Sequence, residues 1–114
     1  MTGTQARPAP KPSQLTIQRR DEGDDVTLSV CGELDLASAP ALARELQGAE
    51  RPQLGRIVLD LAALDFIDSS GVRLLLQAKE RADSNGHLLV LTNLPANAQR
   101  LFTLTGLSAH LVIQ

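Results

Sequence analysis

Two acidic residues and two hydroxyl residues stand together in the middle of the chain, in the segment LDFIDSSGVRLLLQA. Asp65 and Asp68 flank an apolar pair, and Ser69 and Ser70 follow directly. Carboxylates beside hydroxyls can bind a metal ion or activate a nucleophile. The same residue types also cap the free N–H groups at the start of a helix, and taken alone this structural role is the simpler interpretation.

The enzymatic and metal-binding interpretations need residues that the sequence does not supply. A serine hydrolase requires Gly-x-Ser-x-Gly around its nucleophile, and neither serine has a glycine two positions before it. His87 and His110 both stand at predicted strand starts, the wrong end for a catalytic base. A Mg²⁺ site at the two aspartates lacks a third placed ligand. A receiver domain with a phosphorylated aspartate needs a late basic residue, and the only lysines are Lys11 and Lys79. We therefore predict no catalytic, cofactor or metal site.

Composition narrows the remaining classes of function. The chain has 114 residues, 43% of them hydrophobic and 2% aromatic, with a net charge of −2, so it has the size of one domain and no basic surface for nucleic acid. The single cysteine, Cys31, excludes an internal disulfide, and its apolar neighbourhood predicts a small core residue. No apolar run has the ~20 residues of a membrane span, and the first 14 residues lack the apolar segment of a signal peptide. These features predict a cytoplasmic protein.

Hydrophobic periodicity predicts one α/β domain, residues 14–114, after a disordered tail of residues 1–13. Alternation in QLTIQRR and DVTLSVCG indicates a β-hairpin, and the short apolar runs RIVLDLA, HLLVL and HLVIQ indicate buried parallel strands. Three helices are predicted: the first follows a cap at Ser38, the second runs from near Ser69 to Gly86, and the third ends at Gly106. The order β-β-α-β-α-β-α-β predicts a mixed, mostly parallel sheet of about five strands.

This topology gathers the polar residues at one edge of the sheet. The carboxyl ends of parallel strands lie along the same edge, where ligands and partners tend to bind. Three loops should meet there: GELDLAS, ALDFIDSS and TNLPAN. Asp35, Asp65, Asp68, Ser69 and Ser70 are therefore expected to be neighbours, and helix capping alone does not explain this concentration of acids.

The second helix offers two apolar residues beside its core stripe. Leu75 is expected in the core, whereas Val72 and Leu76, at i and i+4, either reach a partner or belong to a wide buried face. Ser70 lies about 100° further around the helix than Ser69 and is expected to turn toward the sheet.

The segments GELDLASAPAL, IVLDLAALDFIDSSGVRLLLQA and NLPANAQRLFTLTGL resemble the anti-sigma factor antagonists, whose fold is the STAS domain. The resemblance covers about residues 15–113, and it implies that Ser69, the serine directly after the aspartate, is phosphorylated. Related antagonists often continue into a last helix, whereas this sequence ends after the last predicted strand, which leaves the oligomeric state open.

The function implied by the resemblance is a regulatory switch, not an enzyme. The unphosphorylated form would bind an anti-sigma factor that is also a serine kinase, and the sigma factor would be released. Phosphorylation at Ser69 would end this binding, and a serine phosphatase would restore it. The implied partner surface comprises Asp35, Asp68, Ser69, Ser70, Gly71, Val72 and Leu76. The alternative is a non-phosphorylated STAS subunit of a membrane transport system, and nucleotide hydrolysis at the acidic edge comes third.

Overall fold

A computed structural model describes residues 15–106 and 111–114 of the chain. The predicted tail, residues 1–13, and His110 lie outside this part. The elements are β1 (Leu15–Glu22), β2 (Asp25–Leu34), α1 (Ala39–Ala49), β3 (Arg56–Ile67), α2 (Ser69–Asn85), β4 (Leu88–Thr92), α3 (Ala96–Thr105) and β5 (Val112–Ile113). The predicted order of elements is confirmed.

The five strands form one mixed sheet in the order β1-β2-β3-β4-β5. β1 pairs antiparallel with β2, from Leu15 opposite Gly32 to Glu22 opposite Asp25, and all other pairs are parallel. The predicted α/β class and mostly parallel sheet are therefore confirmed. Of the described residues 111–114 in the run HLVIQ, only Val112 and Ile113 pair with β4, so β5 is shorter than this part of the run suggested.

One face of the sheet forms the floor of the hydrophobic core. In β2 the inward residues Val26, Leu28 and Val30 are at most 1% exposed, as the alternation predicts. Cys31 is exposed, so its prediction as a core residue is wrong. The reason is the same period of two, because the alternation that buries Val30 turns the next side chain to the opposite face.

All three helices contribute to this core. Leu75, on α2, is fully buried, which confirms its predicted place in the core. A single cluster joins the inner face of the sheet with buried residues of the helices, among them Leu42, Leu46, Leu74, Leu75, Ala82, Ala98 and Phe102.

β3 is longer than the run RIVLDLA predicted: it has 12 residues in total and ends at Ile67. Its last residues pair with the end of β2, where Leu34 lies beside Ile67. Asp65 therefore belongs to the strand and not to a loop, and Asp68 is the residue that separates β3 from α2. The strand therefore places the start of α2 directly at the carboxyl ends of the parallel strands.

The first turn of α2 packs against the ends of β2 and β3 so closely that only glycine fits at position 71. A Cβ atom added to Gly71 would lie 2.8 Å from both Ile67 Cγ1 and Leu34 Cγ. Gly71→Ala is expected to destabilise the domain by about 1–3 kcal/mol through overpacking, measured by urea denaturation. Gly48→Ala is the matched control in α1, where a Cβ meets nothing within 4 Å, and should be neutral or stabilising by up to about 1 kcal/mol. Equal stabilities for the two variants would contradict this tight contact.

Candidate functional site at the carboxyl edge

The ends of β2, β3 and β4 meet at one edge, and we call this edge, with the residues that follow the strands, the carboxyl edge. The backbone N–H of Asp68 donates a hydrogen bond to the carbonyl of Leu34 at 3.2 Å, which joins the end of β2 to the start of α2. The side chain of Asn97, in the first turn of α3, donates to the carbonyl of Asp65 at 3.4 Å. The three predicted loops are therefore brought together as the topology requires.

Asp68 caps α2. Its Oδ1 atom accepts hydrogen bonds from the backbone N–H of Ser70 at 2.8 Å and of Gly71 at 3.2 Å. Its own carbonyl accepts from Val72 N–H at 3.1 Å. The capping interpretation is thus confirmed for Asp68, and the hydroxyl of Ser69 is not needed as a helix cap.

The two serines have different surroundings. Ser69 is exposed, and its hydroxyl makes no hydrogen bond within the described part of the chain. Ser70 is half-buried and lines a groove between α1 and α2 instead of turning toward the sheet. The wall of this α1–α2 groove includes Leu36, Ala39, Pro40, Arg73 and Gln77. The structure therefore presents Ser69 to solvent and Ser70 to the groove.

Asp35, and not Ser38, caps the helical turn that leads into α1. Asp35 Oδ1 accepts from Ser38 N–H at 3.0 Å, and Ser38 Oγ accepts from Asp35 N–H at 3.0 Å. Ser38 is buried, donates its hydroxyl to the carbonyl of Glu33 at 2.7 Å, and makes no side-chain cap to α1. This reciprocal pair at a spacing of three residues has the pattern of a capping box. Ser38 occupies the N-cap position of α1, as predicted, but its side chain makes no cap hydrogen bond there. Asp35 consequently has a structural role besides any contact with a partner.

Two of the residues predicted for the partner surface are buried. Gly71 packs against Leu34, and Val72 is 7% exposed and belongs to the hydrophobic core. The buried stripe of α2 is wide enough to include them, and their place in a partner surface stays a prediction. Leu76 is half-buried, and its place in a partner surface stays a prediction.

Leu36 is the residue of this edge that the sequence reasoning missed. Its side chain is 76% exposed, directly after Asp35 and on the wall of the α1–α2 groove. Arg73 is also exposed on this wall and has no ion-pair partner among the described residues. The available signal was a leucine in the predicted loop GELDLAS that belongs neither to the alternating run DVTLSVCG nor to the apolar stripe of the first helix.

Other kinds of site find no support in the described residues. No group of three His, Cys, Asp or Glu side chains in residues 15–106 and 111–114 is arranged to hold a metal ion. In the same residues, no helix is both long and apolar enough to cross a membrane.

Comparison with known proteins gives the family. Residues 17–113 match a family model described as "Mlab, STAS domain". The anti-sigma-B factor antagonist of Listeria monocytogenes is 30% identical over 94 residues, which cover 82% of each chain. That of Bacillus subtilis is 28% identical over 98 residues, covering 82% of this chain and 84% of the relative. The crystal structure of an anti-sigma factor antagonist from Mycobacterium paratuberculosis superposes with a TM-score of 0.76 at 25% identity, over 92% of this chain and 88% of that one. The chain therefore belongs to the anti-sigma factor antagonist family of STAS domain proteins.

Proposed function

We propose that this protein acts in the cytoplasm as an anti-sigma factor antagonist whose binding is switched off by phosphorylation of Ser69. The observation that carries the proposal is the exposed Ser69 directly after the capping Asp68, with a hydroxyl that makes no hydrogen bond to the described residues. A kinase can reach this hydroxyl without disturbing the cap. The family relationship supports an anti-sigma factor as the partner.

In the unphosphorylated state the carboxyl edge offers a neutral hydroxyl beside an apolar contact. Leu36 stands out into solvent next to the groove that holds Ser70. Burial of an exposed leucine by a partner is favourable, because it removes apolar surface from water. We propose that the anti-sigma factor serine kinase binds the surface formed by Ser69, Leu36 and the α1–α2 groove. This binding would release the sigma factor.

Phosphorylation changes the charge of this surface more than its shape. A phosphate on Ser69 adds a charge of about −1.5 to −2 at neutral pH. The helix start neutralises little of it, because Asp68 already occupies the N–H groups of Ser70 and Gly71. The repulsion between this phosphate and one negative charge ~5.5 Å away costs about 3 kcal/mol at an effective dielectric constant of ~20. This cost corresponds to on the order of a hundredfold in affinity. The partner therefore dissociates without any refolding of the domain, and a serine phosphatase resets the switch.

A pair of exposed leucines tests the proposed surface. Leu36→Ala removes the apolar contact and is expected to weaken binding to the cognate kinase by about tenfold or more, measured by titration calorimetry. Leu104→Ala is the matched control, because Leu104 is 77% exposed near the end of α3, away from Ser69. Neither variant should change the melting temperature appreciably. Equal affinities of both variants for the kinase would contradict the placement of the partner at Leu36.

A further inference from the structure

A cavity of about 60 Å³ lies between α1, α2 and the inner face of the sheet. It is lined at one end by Arg81, and at 1.5 Å per residue Arg81 lies roughly 18 Å along α2 from Ser69. Its walls are mainly apolar and include Leu46, Ile57, Leu74, Ala78 and Leu89. The proposed switch does not use His87 or the enclosed part of this α1–α2 cavity.

The imidazole of His87 is the one buried titratable side chain in the wall of this cavity. His87 is 6% exposed, and its side chain makes no hydrogen bond within the described part of the chain. Only its backbone N–H is paired, with the carbonyl of Ala82 at 3.1 Å. Polar groups in protein interiors are almost always hydrogen-bonded, because leaving one unpaired is costly. The imidazole is therefore available to a hydrogen-bonding group that enters the cavity.

The rim of the cavity is electrically neutral. Arg81 Nε donates to Glu50 Oε2 at 2.9 Å and its Nη2 donates to Glu50 Oε1, so the two side chains form a two-pronged ion pair between the helices. The other polar residues of the lining, Gln47 and Gln77, carry no charge. A charged ligand would have to break the Arg81–Glu50 pair, whereas an uncharged one would leave it intact.

We infer that the α1–α2 cavity binds a small uncharged molecule, an apolar body about one ring in size with a single hydroxyl group that hydrogen-bonds to His87. The enclosed volume takes the hydroxyl and part of the ring. The rest extends along the α1–α2 groove, since Ala43, Leu74 and Gln77 line both spaces. The bound molecule thus lies between α2, which begins at Ser69, and α1, which follows Leu36.

Phenol is a suitable probe, with benzene as its counterpart without a hydroxyl. Added to the ¹⁵N-labelled full chain, phenol should produce saturable NMR shifts at the amides of Leu46, Ala78 and Leu89, and bind about fivefold tighter than benzene. His87→Phe keeps an aromatic ring at this position and should abolish the preference for phenol. Shifts that do not saturate, or equal affinities for the two probes in the wild type, would overturn the inference.

A cavity-filling variant tests the location. Ala78→Leu should remove the saturable shifts, whereas Ala96→Leu, at an exposed position of α3, should leave them unchanged. If Ala78→Leu fails to fold, Ala43→Leu fills the space from the α1 side. Phenol binding that survives in the folded filling variant would place the ligand elsewhere and overturn the inference. No kinase is used, so the result is independent of the proposed switch.

Discussion

Ser69→Ala is expected to abolish phosphate incorporation by the cognate kinase, while Ser70→Ala remains a substrate. Ser69 is exposed and its hydroxyl bonds to none of residues 15–106 and 111–114, whereas Ser70 is half-buried in the α1–α2 groove. Ser69→Ala should still bind the kinase, because it retains the uncharged surface. Ser69→Glu should bind more weakly, although its single charge mimics a phosphate imperfectly.

The measurement is incubation with kinase and ATP, followed by mass spectrometry of the intact protein and of its peptides. Treatment with phosphatase should return the intact mass to that of the unmodified chain. Phosphate found on Ser70 would reverse the assignment of the two serines. A wild-type chain that stays unmodified by a kinase known to be active would instead favour a non-phosphorylated STAS subunit of a membrane transport system.

Leu75→Ala should destabilise the domain by roughly 2–5 kcal/mol, the largest effect on stability expected from a single substitution here. Leu75 is fully buried in the middle of α2, where its removal leaves a cavity against the sheet that the surrounding elements cannot close. Urea denaturation followed by circular dichroism gives the free energy of unfolding. Leu104→Ala, at an exposed leucine of α3, should lose less than about 0.5 kcal/mol. A loss below about 1 kcal/mol for Leu75→Ala would mean that α2 does not pack on the sheet through this face.

The features that local rules decide could be predicted from the sequence. Gly86 and Gly106 end α2 and α3 with φ angles of 82° and 74°, in the left-handed conformation that glycine adopts without strain. The alternation of strands and helices along the sequence was enough to predict the parallel sheet. The parallel sheet in turn explains why Asp35 and Asp68 meet at one edge.

Features that depend on tertiary packing could not be predicted in the same way. Asp35 and Ser38 are both good capping residues, and only the backbone path decides which one caps. The packing of α2 beside α1 forms the groove that Ser70 lines, and neither helix contains this groove by itself. The width of the buried face of α2 likewise decides that Val72 is in the core, since its spacing fits a partner surface equally well.

The order of the strands has a consequence for how the chain acquires its structure. Neighbours in the sheet are also neighbours in sequence, from β1 through β5. Each new strand can therefore add to the edge left by the previous one, with one helix or one turn as the only loop to close. During synthesis the sheet can grow from the N-terminus as residues emerge from the ribosome. The two-residue β5 would join last. We expect the amide hydrogens that pair β4 with β5 to exchange with solvent faster than those that pair β2 with β3.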